Sequence, residues 1–145
     1  MSRISLIAPA ILLAVFGARA DDEAVKAELK KMEGTWQLTS AVADGKETLG
    51  EVVKKVRVVI KDGKHTVHLG DDVVVKDIPF KLDPSQKPKT TDDTVGEGKT
   101  IKGIYKLDGD TLTSCVAEVG KDRPTEFASK AGSGHTLRVF KRVKE

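Results

Sequence analysis

A chain of 145 residues is the length of one domain, and 25 Lys and Arg against 22 Asp and Glu give a formal charge of only +3, too little for a nucleic-acid footprint. Four Phe, one Tyr and one Trp are too few to build stacking platforms for single strands, and the single cysteine excludes an intramolecular disulfide. Stability must therefore come from a packed core.

Residues 1–20 read as a secretory leader. Arg3 supplies the positive start, Ile4 to Phe16 is almost wholly apolar, and Ala18-Arg19-Ala20 has the small-x-small form of a cleavage site. An apolar run of about 13 residues is too short to cross a bilayer as a helix. Losing Arg3 and Arg19 with the leader would leave 23 basic residues of the 25 against 22 acidic ones. The expected product is a domain over 21–145, exported to the periplasm or the extracellular space. It would have no stable membrane anchor, because no cysteine lies near the cleavage site to take a lipid.

Asp21 to Glu33 predicts a short amphipathic helix with Val25, Leu29 and Met32 on one face, stopped by Gly34. Thr35 to Val42 then alternates as a strand, with Trp36, Leu38, Ser40 and Val42 expected on one side, and Asp44-Gly45 turns it. Glu47 to Lys55 lacks period-2 alternation and predicts a short helix or a flap. Val56 to Ile60 and His65 to Leu69 form a hairpin around Asp62-Gly63. The next strand runs from Val73 to Leu82, at an edge or bulged because Pro79 cannot donate to a ladder.

Thr90 to Asp93 is a weaker strand. Thr100 to Leu107 and Asp110 to Ala117 make the clearest hairpin, across Asp108-Gly109. A long connection over 118–134 leads to a last strand, Thr136 to Val143. The sum is an all-β fold, an antiparallel up-and-down barrel of about eight strands behind one N-terminal helix.

Gly34-x-Trp36 on the first strand, after a helix and before an up-and-down strand series, resembles the lipocalin pattern. The resemblance implies that Trp36 plugs one end of the barrel and that an arginine of the last strand packs across it. Arg138 or Arg142 could take that part, with Gly34, Trp36 and Arg138 taken as the structural motif. A closer resemblance covers residues 28–143. Glu33-Gly34-Thr35-Trp36, Phe80-Lys81-Leu82-Asp83-Pro84, Lys87-Pro88-Lys89, Gly103-Ile104-Tyr105-Lys106-Leu107-Asp108-Gly109-Asp110 and Arg123-Pro124-Thr125-Glu126-Phe127 together resemble a lipocalin-like domain family abundant in planctomycete proteins. It implies the fold and leaves the activity open.

Candidate chemistry is sparse. His65 and His68 are three apart on a strand and point to opposite faces, so they are not expected to chelate one metal. Asp71-Asp72, Asp92-Asp93 and Asp108-Gly109-Asp110 read as turn residues rather than calcium ligands. Ser114 and Cys115 lie within a strand without a nucleophile elbow, and Cys115 is expected to be buried. No catalytic constellation, metal or cofactor is expected.

The candidate site is the barrel interior, with Leu38, Val58, Val67, Tyr105, Leu112 and Ser114 as its expected lining. The wider inward set adds Val56, Ile60, Leu69, Phe80, Ile101, Leu107, Val116, Leu137 and Val139. Medium-sized valines beside small residues fit either a mostly apolar cavity for a small apolar or amphipathic ligand, or a solid core. The alternative site is an interaction loop carrying Arg123, Glu126 and Phe127. There a filled barrel would serve an unknown protein partner in the envelope; the plainer reading of the same loop is that Phe127 staples it to the barrel while Arg123 and Glu126 form a surface pair worth no more than ~1 kcal/mol.

Overall fold

The computed structural model describes the backbone of residues 13–144 and the side chains of residues 22–144. The leader expected over 1–20, with its cleavage signal, lies outside the residues described in full. Helix α1, Leu13–Met32, begins before the expected start at Asp21, since Leu13, Ala14, Ala18 and Ala20 are good helix formers with no proline among them. Among the described residues no helix is long and apolar enough to cross a membrane.

The strands are β1 (Gly34–Ala43), a two-residue β2 (Lys46–Glu47), β3 (Val56–Lys61), β4 (Lys64–Leu69), β5 (Asp72–Asp83), β6 (Lys89–Val95), β7 (Lys99–Asp108), β8 (Thr111–Ala117) and β9 (His135–Arg142). Each pairs antiparallel with its neighbour in chain order, with β2 a tab on β1, and β1 also pairs with β9. That last pairing, which sets Trp36 opposite Arg142 and Leu38 opposite Phe140, closes β1 and β3–β9 into an eight-stranded barrel. The ambiguous stretch after β2 resolves as one helical turn, α2 (Gly50–Val53), whose Val53 joins the core. The Gln37 amide holds this turn down by donating to the carbonyls of Val53 and Val56 at 3.2 and 3.1 Å.

The hairpin turns at Asp62-Gly63 and Asp108-Gly109 share one end of the barrel with α1. Asp44-Gly45, α2, Gly70-Asp71 and the 118–134 connection lie at the other, as the pairing registers require.

Two bulges correct the simple alternation. In β1 the register against β9 slips between Leu38 and Ser40, and Thr39 Oγ1 donates to the Val139 carbonyl at 3.0 Å. The extra residue flips the parity, so Ala41 is buried while Ser40 is exposed, contrary to the expected inward Ser40 and Val42. In β5 the register against β4 is irregular beyond Ile78, and Asp77 has φ of 51°. Pro79 is thus tolerated beside a bulge in a strand paired on both sides, not at an edge.

The inner core gathers Met32, Trp36, Leu38, Ala41, Val53, Ile60, Phe80, Leu82, Tyr105, Leu112 and Phe140. A second apolar layer lies outside the barrel. Ile104 and Cys115 face each other across β7 and β8, Cys115 faces Leu137 on β9, and both Ile104 and Cys115 are fully buried, as is Pro124 of the 118–134 connection. The connection is therefore a cover over the outer face of β7–β9. It also explains why Leu137 and Val139 do not point inward as expected. A covered outer face makes β9 apolar on both sides, and the inward positions belong to Arg138 and Phe140.

Candidate functional site

The closed end of the barrel is built on Trp36. Its ring is fully buried, and its indole Nε1–H donates to the Met32 carbonyl at 2.8 Å, satisfying an orphan acceptor at the end of α1. The arginine across it is Arg142, with its guanidinium carbon 4.3 Å from the ring centroid and Nη1 donating to the Glu33 carbonyl at 2.6 Å. The assignment of that part to Arg138 is corrected by the register, which sets Arg142 opposite Trp36. Gly34, with φ of 129°, keeps the space open, since a Cβ there would stand 2.9 Å from Arg142 Nη1.

Beside the plug, Glu28 of α1 is buried and accepts from Tyr105 at 3.1 Å and from Lys89 Nζ at 2.8 Å. Glu28 was missed in the sequence, although it occupies the i+3 position of the Val25, Leu29, Met32 stripe. Burial, and then the neighbouring Glu28 carboxylate, push the Tyr105 hydroxyl well above its ordinary pKa. A raised acid keeps its proton in the folded state while the unfolded tyrosine ionises near pH 10, so this contribution to stability is complete below that pH and declines above it. Because the chain has one tyrosine, the tyrosinate absorbance at 295 nm should appear only together with alkaline unfolding. Ionisation near pH 10 with the fold intact would refute the buried Tyr105–Glu28 contact.

Above the plug lies a partly open cavity of about 110 Å³. Of the residues expected to line the barrel, Val58, Val67, Tyr105, Leu112 and Ser114 stand in the cavity wall, whereas Leu38 packs into the core cluster and is not part of that wall. Met32, Ile60, Phe80, Leu82, Val116 and Phe140 complete a mostly apolar wall.

Besides Tyr105, three ionisable residues enter that wall among the described residues: His65, Asp93 and Arg138. His65 Nε2 lies 3.0 Å from Asp93 Oδ2, and Thr91 Oγ1 donates to Asp93 Oδ1 at 3.2 Å. The other ring nitrogen of His65, Nδ1, is buried with no partner among the described residues. Arg138 forms no hydrogen bond or ion pair among the described residues. Desolvation pulls its pKa below the ordinary arginine value, and the field of Asp93 opposes that shift. Arg138 is half-buried, so solvent still meets part of its guanidinium and offsets part of that desolvation cost.

These polar groups were not read from the sequence as a cluster. Asp92-Asp93 looked like a turn but lies inside β6, with Asp93 directed inward opposite Phe80 and Asp92 directed outward to Arg123. His65 and His68 do diverge, and only His65 reaches the cavity. Among the described residues no group of three or more His, Cys, Asp or Glu is placed to hold a metal ion.

The candidate interaction loop is differently used. Arg123 Nη1 donates to the carbonyls of Thr91 and Gly103 at 2.9 and 2.8 Å, and Nη2 donates to Asp92 at 2.7 Å. The expected Arg123–Glu126 pair does not form. Glu126 pairs with Lys130 in solvent, and Phe127 lies under the Lys106 ammonium, 5.0 Å from the ring centroid.

No family model, curated protein or solved structure matches this chain.

Proposed function

We propose that the protein is an exported, non-catalytic binding module, allied to the planctomycete lipocalin-like domains, that takes a small apolar or amphipathic molecule inside its barrel. The observation that carries this reading is the partly open cavity of about 110 Å³, with apolar walls and a few convergent polar groups. Its size limits the guest. An engineered cavity of roughly 150 Å³ admits benzene, so a compact body fits and a long acyl chain does not. The competing reading, recognition through the 118–134 loop by a filled barrel, is less well supported, because Arg123 and the buried Pro124 hold that loop against the barrel wall.

Titrating the full chain with benzene, butanol and isobutyrate while following the thermal midpoint tests the binding. At least one probe should raise the midpoint saturably, and Ser114→Leu, which fills the cavity, should abolish the response without lowering the unliganded midpoint. No saturable response to any of the three would end the proposal. For export, N-terminal sequencing of protein recovered outside the cytoplasm should read from Asp21.

A further inference from the structure

We infer that the ligand of the barrel is a small monocarboxylate with a compact apolar body, its carboxylate seated on Arg138. This rests on the reading of the barrel as a binding module and adds the chemistry of the head group. Arg138 leaves β9 between two strands that present small residues beside it, Ala41 on β1 and Ser114 on β8. Its fork is therefore not covered by its neighbours. Among the described residues Asp93 is the one carboxylate in the cavity wall, and both of its oxygens are already engaged, one by His65 and one by Thr91. Arg138 thus brings a planar set of donors into the cavity with no acceptor within ion-pairing distance among the described residues.

A carboxylate matches that fork with two parallel hydrogen bonds. A dianion such as phosphate does not suit a wall formed largely by Val67, Phe80, Leu112 and Phe140, where excess charge would be desolvated without further donors.

Isothermal titration of the full chain with isobutyrate, isobutyramide, benzene and inorganic phosphate tests the inference. Isobutyrate should bind at least about tenfold more tightly than isobutyramide, the ratio expected for a hydrogen bond to a charged group, and phosphate should give no saturable heat. Arg138→Met should erase the preference and leave the unliganded protein as stable or more so. Arg138→Lys, which keeps the charge and loses the fork, should remove most of it and serves if the methionine variant does not fold. Equal binding of acid and amide, or a preference that survives both substitutions, overturns the head-group assignment while leaving the binding reading intact. Saturable binding of phosphate overturns the monocarboxylate. If neither isobutyramide nor benzene nor isobutyrate binds, the binding reading falls with it.

Discussion

Trp36→Ala should lower the stability of the protein by about 3–5 kcal/mol, the range for truncating a buried large aromatic. Three losses coincide at this position. The ring is fully buried in the inner core, so its removal leaves a cavity at the closed end. The Met32 carbonyl loses its indole donor. Arg142 loses the aromatic face against which it packs, and its own hydrogen bonds to Lys31 and Glu33 are then less well held. Because a whole domain is stable by only about 5–15 kcal/mol, the variant stands near the folding threshold. Urea unfolding followed by circular dichroism measures the change. An unchanged midpoint would mean that the barrel end is not built on Trp36. Trp36→Phe keeps a six-membered aromatic ring but loses the N–H donor and the rest of the indole, so it should be destabilising by less than Trp36→Ala.

The plug was legible because it depends on one local pattern, a glycine two residues before a tryptophan at the head of an alternating strand. The hairpins were legible for the same reason, with Asp-Gly at Asp62-Gly63 and Asp108-Gly109 fixing both the turn and the register. What escaped was whatever depended on contacts distant in sequence. The bulge at Thr39 is set by the Val139 carbonyl, a hundred residues away, and no period-2 count predicts the change of parity it imposes. Leu137 and Val139 were assigned inward because they are apolar, but the 118–134 cover gives β9 two apolar faces. Arg138 and Arg142 share one face of β9, so alternation could not choose between them as the plug's partner; the register against β1 does, setting Arg142 opposite Trp36 and Arg138 opposite Ala41. Asp93 had an inward position within reach of simple counting, since it sits two residues after Thr91 on a strand whose inward parity passes through both. The adjacent Asp92, and the turn preference of aspartate in general, obscured it.

Arg123→Ala should cost about 2–4 kcal/mol, a large effect for a residue on a surface connection. The Asp92 ion pair contributes little of this, because Arg123 and Asp92 side chains are 28% and 45% exposed and the pair is screened by solvent. The weight lies in the two charge-assisted hydrogen bonds to the Thr91 and Gly103 carbonyls, which join the 118–134 connection to β6 and β7. Without them the cover should lift locally before the barrel opens, and Cys115 reports that step. Its thiol is fully buried and donates to the Ala128 carbonyl at 3.4 Å; burial pushes its pKa up and so suppresses the reactive thiolate. Labelling with iodoacetamide should therefore be slow in the parent protein and faster by orders of magnitude in Arg123→Ala, at denaturant concentrations where the barrel's circular dichroism is unchanged. Arg123→Lys should be intermediate, since one ammonium cannot reproduce the fork that spans Thr91, Gly103 and Asp92. Glu126→Ala removes only an exposed pair with Lys130 and should change stability by less than ~0.5 kcal/mol. If Cys115 stays protected in Arg123→Ala and the midpoint does not move, the cover is held by the packing of Pro124 against the outer layer, and the arginine is a surface residue free for recognition after all.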